Sequence, residues 1–136
     1  MTDFLLDSGI IIQHLRKRNK YSLLDELAMQ GTLFISTMTR FEILRGMKER
    51  ERNDTANTLE ALESLPIDNA VADLAGELVR AWRAKGITLG DADVLIAATA
   101  IHHGLPLVTT NPKHFPMPDL TVYQTDDAGK MTRWTR

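Results

Sequence analysis

Three carboxylates stand in apolar surroundings. Asp7 follows Phe4-Leu5-Leu6 and precedes Ser8-Gly9. Glu42 lies between Phe41 and Ile43-Leu44, in the stretch TRFEILRG. Asp93 stands before an apolar run, 94–101, built only of Val, Leu, Ile, Ala and one Thr. A carboxylate removed from water needs hydrogen-bond donors, a cation or a metal. No Lys or Arg neighbours Asp93 along the chain, so a bound cation is a candidate partner. Drawn together by the fold, the three would suit a hard ion such as Mg²⁺, which takes oxygen ligands and keeps several waters. Such an ion can activate water and stabilise an attacked phosphate.

Each acid also has a plainer reading. Asp7 can cap the following helix or form an Asx turn. Glu42 can be a solvated helix position paired with Arg45 three residues on. Asp91, next to Asp93 but one, follows Gly90 and suits an N-cap. Residues two apart on a helix point about 200° apart, so Asp91 and Asp93 are expected to do different jobs. Zinc is a poor match. There is no cysteine, and His14, His102, His103 and His114 form no ligand pair by spacing. His102-His103 instead suit a helix C-terminus, where positive charge is favoured.

The elements that must carry these residues alternate in type. DFLLD reads as a short buried strand ended by Ser8-Gly9. IIIQHLRKR and LLDELAMQG read as helices, the second stopped by Gly31. TLFIS is a strand of β-favouring residues. TMTRFEILRGMKERER predicts a helix with Thr caps, and NDTANTLEALESL another, capped at Asn53 or Asp54. In PIDNAVADLAGELVRAWRAKG, Val71, Leu74, Ala75, Leu78 and Trp82 recur at helical spacing behind Asp68 or Asn69 as cap. DADVLIAATAIHHG is the next helix, with Gly104 past its end. LPLVTT and LTVYQT are strands separated by the Asn111-Pro112 turn. Short apolar strands between helices predict a three-layer α/β/α domain with a mainly parallel central sheet. Sites in such sheets form outside the carboxyl ends of the strands, which points to Asp7 first.

The 136 residues suit one domain, expected over 1–125, with 126–136 a loosely packed tail. At 43% hydrophobic residues a packed core is feasible. The start, MTDFLLDSG, has no basic n-region and does not read as a signal peptide. No apolar run reaches the roughly 18 residues of a membrane span. Absence of cysteine fits a reducing compartment, so a cytoplasmic protein without membrane contact is expected. Net charge is −2, so any nucleic-acid surface must be a local patch.

Taken together, LLDSGIII, ISTMTRFEILRG and DADVLIAATAIHHGLPLVTTN resemble, in order, the three motifs of PIN-domain proteins. They frame about 110 residues. Length and pattern resemble most the VapC toxins of prokaryotic toxin–antitoxin modules. The resemblance implies a Mg²⁺- or Mn²⁺-dependent endoribonuclease, a homodimer, and a small VapB-type antitoxin as partner. By motif position it carries Asp7, Glu42 and Asp93 over as metal ligands and catalytic acids. Ser8, where the family usually has Thr, and Thr39, one helical turn before Glu42, carry over as supporting positions. The fourth acid that many members place after the LVT strand is absent. Asn111 holds the matching position, and His114 falls where others have Asp or Glu. An amide brings no negative charge, so the pattern covers a first metal and leaves a second open.

An RNA contact would draw on local cations. RKRNK supplies Arg16, Lys17, Arg18 and Lys20, while Arg40, Arg45, Lys48, Arg50 and Arg52 follow along the Glu42 segment. A solvated basic face is the other meaning of such runs. Ile10–Ile12 and Leu23-Leu24 can serve the dimer or antitoxin contact, or the core. Two other functions compete. One is a catalytically weak PIN module that mainly binds a protein partner. The other is a phosphoacceptor receiver, disfavoured because Ser8 stands where a second acid would follow Asp7 and LVTTN ends without a Lys.

Overall fold

The computed structural model describes residues 2–17, 23–126 and 130–135. Six strands form one mixed sheet: β1 (Phe4–Leu6), β2 (Leu33–Ser36), β3 (Glu63–Leu65), β4 (Leu107–Thr109), β5 (Val122–Thr125) and β6 (Met131–Arg133). Their order is β3-β2-β1-β4-β5-β6, and every neighbouring pair is parallel except β5 and β6. The helices are α1 (Ser8–Lys17), α2 (Leu23–Ala28), α3 (Thr37–Gly46), α4 (Arg52–Glu60), α5 (Asn69–Arg83) and α6 (Asp91–His103).

Strand side chains alternate faces, and each face of this sheet has its own apolar layer. Leu5, Leu107 and Val122 join Val71, Ala75, Val94 and Ala97 of α5 and α6. Phe4, Leu6, Leu33, Ile35 and Val108 join Ile10, Ile11, Leu24, Leu27, Ile43 and Leu59 of α1 to α4. The expected three-layer α/β/α arrangement is therefore realised, and β1 reads as continuous apolar sequence because both its faces are covered. Ile10, Ile11 and Leu24 are core residues. The large apolar side chains exposed among the described residues are Met29, Phe41, Leu44 and Ile87. Also among the described residues, no helix is long and apolar enough to cross a membrane.

Local signals set several boundaries as expected. Asp68 caps α5, its carboxylate accepting from Val71 N at 3.0 Å. Gly104 ends α6 in the left-handed region at φ 64°, a conformation that costs glycine little. Leu105 N closes the turn onto Ala100 O at 2.9 Å.

Other boundaries differ. The segment expected as one helix over NDTANTLEALESL stops at Glu60, and Glu63–Leu65 becomes β3. This edge strand is half exposed, so no apolar run reveals it. Its partner β2 supplies the pairing, with Ile35 opposite Ser64 and Ser36 opposite Leu65. Neither Asn53 nor Asp54 caps α4, which continues from a 3₁₀ turn at Glu49–Glu51. Helix α3 ends at Gly46, and its cap is Ser36, whose hydroxyl accepts from Met38 N at 3.0 Å. Thr37 spends its hydroxyl on Ile67 N instead, at 3.3 Å. The tail expected to be loosely packed contributes β6, where Tyr123 pairs with Arg133 and Thr125 with Met131. Trp134 packs onto the α5–α6 layer.

Replacing Asp68 by Ala removes the α5 cap and is expected to cost about 0.5–2 kcal/mol in urea unfolding. An unchanged midpoint would show that the cap contributes nothing.

Candidate active site

The sheet reverses its direction of growth at β1, with β2 on one side and β4 on the other. A crevice opens outside the carboxyl ends of strands at such a switch point. Asp7 stands there, at the end of β1, and is only 7% exposed. Its backbone N–H donates to Val108 O at 2.9 Å. Its Oδ1 accepts from Ser8 N at 2.8 Å, and its Oδ2 accepts from the Thr109 hydroxyl at 2.7 Å. The plainer cap reading is thus partly right, since Asp7 immediately precedes α1. One oxygen, however, is held across the switch point by β4.

Glu42 enters from the second turn of α3. The Ser8 hydroxyl donates to its carboxylate, while burial and the charge of Asp7 push its pKa up. Asp93 adds to that repulsion, and Arg45 offsets it only weakly. Arg45 lies over the Phe41 ring, 5.1 Å from its centroid, rather than serving as the partner of a solvated glutamate. Among the described residues, Glu42 Oε1 is buried without a hydrogen-bond partner, and so is the Thr39 hydroxyl one turn earlier.

Asp93 enters from the first turn of α6, with its side chain 29% exposed. Burial raises its pKa, His114 opposes this, and the charge of Asp7 raises it further. The His114 imidazole stands against it, Nδ1 lying 3.3 Å from Asp93 Oδ2. Asp7 is shifted upward as well, by burial above all, against the opposing Thr109 and Ser8 hydrogen bonds and the His114 charge. Carboxylates near helix N-termini are normally eased toward ionisation. Here desolvation outweighs that for Asp7 and Asp93.

The expected cap at Asp91 is overturned. Gly90 is the N-cap of α6, with no side chain to bond, and Asp91 is already helical and exposed. A Cβ at position 90 would come within 3.2 Å of Asp93 Oδ2, a close contact that the carboxylate would have to shift slightly to relieve. Asp91 retains only the favourable end-charge effect of an acid in the first turn.

Asn111 is exposed, and its amide donates to the Thr110 hydroxyl at 3.4 Å. The residue of this loop that reaches the acids is His114. Its loop position was legible in the sequence, but its contact with Asp93 was not, because twenty-one residues separate them along the chain. Thr109, the anchor of Asp7, was missed as well, for its signal is only a hydroxyl at a strand end.

The residues expected to contact RNA meet different neighbours. Arg16 faces Glu51 at 3.7 Å and borders a polar groove with Lys48, Arg50 and Asp54. Arg40 reaches the Ser64 hydroxyl at 3.4 Å. Arg52 pairs with Glu49 at 2.8 Å. Arg18 and Lys20 lie outside the described residues, as does the side chain of Lys17.

The donor set suits a hard divalent cation in kind: three carboxylates, one with an orphaned buried oxygen, each made harder to ionise by its surroundings. As the side chains stand, among the described residues no group of three His, Asp or Glu is closed around a position for an ion. Both oxygens of Asp7 are held by Ser8 and Thr109, and Asp93 leans on His114.

Raised carboxylate pKa values have a definite sign in stability. The folded state binds protons more tightly than the unfolded chain, so these groups favour folding most below the unfolded values near 4, and this contribution is lost as pH rises through the raised ones. In chelator, Asp7, Glu42 and Asp93 are therefore expected to lower stability across that rise. Thermal unfolding from pH 4 upward should show a shallower decline in Asp93→Asn than in the parent. Parallel curves would contradict the arrangement.

The model of the PIN domain matches residues 4–117. Ribonuclease VapC19 of Mycobacterium tuberculosis is 38% identical over 119 residues, covering 85% of this chain and 95% of that protein. Ribonuclease VapC10 of the same organism is 35% identical over 116 residues, covering 83% and 86%. Among solved structures, VapBC2 from Rickettsia felis, bound to a DNA fragment from their promoter, superposes with a TM-score of 0.83 at 28% identity, covering 92% of this chain and 100% of that one. With a domain match across most of its length and relatives this similar, the chain belongs to the PIN-domain family.

Proposed function

We propose that the protein is an endoribonuclease, the toxin of a VapBC-type toxin–antitoxin pair, that hydrolyses RNA phosphodiester bonds with a divalent metal ion held by Asp7, Glu42 and Asp93. The observation that carries the metal reading is the buried, unpartnered Oε1 of Glu42 beside two other carboxylates that raise its pKa. The kinship with ribonucleases named VapC supports the substrate class. Mg²⁺ and Mn²⁺ both suit carboxylate donors. Bound there, either would supply Lewis-acid stabilisation of the phosphate and an acidified water.

The chain's own residues do the positioning. Thr109 and the Ser8 amide fix the Asp7 carboxylate, and the Ser8 hydroxyl fixes that of Glu42. Thr39, fully buried beside the Glu42 turn, supports the same helix face. The first turns of α1 and α6 lie beside the acids, and their backbone N–H groups add partial positive charge toward a phosphate. Arg40 and Arg45 flank Glu42 along α3 and are proposed as contacts to the RNA backbone, and Arg16, Lys17 and Arg18 are proposed as further ones.

The proposed partners are a VapB-type antitoxin and a second copy of the chain, in the cytoplasm. Phe41 and Leu44, 52% and 44% exposed on α3, offer apolar surface for such contacts. A homodimer at micromolar concentration in light scattering is the expected result, and a monomer would refute it. The second reading, a weakly catalytic module that acts mainly by binding a partner, is favoured by Asn111 in place of a fourth acid.

Cleavage assays separate the two. RNA cleavage should stop in EDTA and return with Mg²⁺. Asp93→Asn should lower it by roughly a hundredfold or more, with melting temperature unchanged or higher. Asp91→Ala should keep cleavage and cost less than about 1 kcal/mol, since it removes an end charge and not a cap. Full activity in EDTA, or an active Asp93→Asn, would sink the nuclease mechanism. Inactivity of the parent with every divalent ion would favour the binding module.

A further inference from the structure

The proposed centre has a neighbour whose chemistry differs from that of the acids. His114 sits in the 3₁₀ turn Pro112–His114 directly after β4, the strand whose Thr109 anchors Asp7. Its backbone N–H donates to Asn111 O at 3.1 Å, and Phe115 N–H closes onto Pro112 O at 3.0 Å. The next side chain, Phe115, is fully buried and holds the turn in the α5–α6 layer. Two backbone hydrogen bonds and a buried neighbour thus hold the turn that presents the imidazole. The ring reaches Asp93, with Nδ1 3.3 Å from Oδ2. A merely structural ion pair here would be worth little, since His114 is 58% exposed and such pairs contribute about 0–1 kcal/mol.

We propose that His114 supplies an imidazole nitrogen to the divalent-ion centre of Asp7, Glu42 and Asp93, making it a site of three carboxylates and one nitrogen that selects Mn²⁺ over Mg²⁺. This rests on the metal reading above. The selectivity follows from donor chemistry. Mg²⁺ takes oxygen donors and sheds water reluctantly, so an imidazole adds little to its binding. First-row transition ions gain from a nitrogen donor, and Mn²⁺ is the one among them that shares the Mg²⁺ preference for carboxylates. From Thr110 to Phe115 the chain carries Asn111 and His114 and no acid, so the strand end after β4 offers nitrogen where a fourth carboxylate would have strengthened Mg²⁺ binding.

The test is Mn²⁺ binding to the full chain, read by electron paramagnetic resonance with spin-echo modulation for coupled ¹⁴N. It is paired with calorimetric affinities for Mn²⁺ and Mg²⁺, and circular dichroism checks that each variant is folded. The parent should show imidazole ¹⁴N coupling and bind Mn²⁺ at least about tenfold more tightly than Mg²⁺. His114→Ala should lose the coupling and about tenfold in Mn²⁺ affinity, with Mg²⁺ affinity changed less than about threefold. His114→Asp should bind both ions without the nitrogen signal, their affinities drawn together. Bound Mn²⁺ without imidazole coupling in the parent, or equal loss for both ions in His114→Ala, would overturn the inference and leave His114 as a structural pair of Asp93. Mn²⁺ binding insensitive to Asp7→Asn and Asp93→Asn, or no binding in the parent, would overturn the three-acid metal reading and this inference with it.

Discussion

The hydrogen bond from the Thr109 hydroxyl to Asp7 Oδ2, 2.7 Å long, spans the point where the sheet changes its direction of growth. It joins residues 102 apart in sequence. Because Asp7 is almost fully buried, losing that donor would leave one carboxylate oxygen unsatisfied in low dielectric, a costly state. The rest of the site is arranged around this constraint. Ser8, placed by the turn into α1, completes the hold on Asp7 with its amide and turns its hydroxyl to Glu42. Gly9 lets α1 begin this close to the end of β4, for a Cβ there would stand 2.7 Å from the Thr110 hydroxyl.

The electrostatics of the crevice are poised against themselves. Burial and mutual repulsion raise the pKa of all three acids, while Ser8, Thr109 and His114 pull at least one of them back. Such opposition is expensive to hold in a fold that needs only stability, and replacing buried ionic groups with apolar ones is often neutral or favourable. Perturbed carboxylates gathered in a crevice are instead a mark of functional sites. Arg45 lies over the exposed Phe41 ring and offsets the upward shift of Glu42 only weakly.

The basic residues carry a different lesson. Along the chain they cluster, and in the fold each meets a different neighbour: Arg16 faces Glu51, Arg40 the Ser64 hydroxyl, Arg45 the Phe41 ring and Arg52 Glu49. Helical geometry explains part of this, since residues five apart, such as Arg40 and Arg45, point about 140° apart. A count of nearby Lys and Arg in sequence therefore does not by itself give the positive charge one phosphate chain would meet.

Much of this protein was legible in its sequence, and the reasons are local. Fully buried parallel strands leave unbroken apolar runs, so β1 and β4 were visible, and with them the layered fold. Asp68 and Gly104 act within one turn of their own position, so the boundaries they set were visible too. Asp7, Glu42 and Asp93 stood out because a charge in an apolar segment contradicts its surroundings. Tertiary structure decided what depends on distant partners. Strand β3 exists because β2 offers an unpaired edge, not because Glu63-Ser64-Leu65 favours a strand. Strand β6 forms in the same way on β5. The cap of α6 fell to Gly90 and not to Asp91, with the Asp93 carboxylate lying close beside the bare cap position. The convergence of three acids, Thr109 and His114 on one strand edge likewise belongs to the topology. Only the parallel crossovers bring positions 7, 42, 93, 109 and 114 together, because side-chain chemistry is written residue by residue while proximity is set by how the sheet is wound.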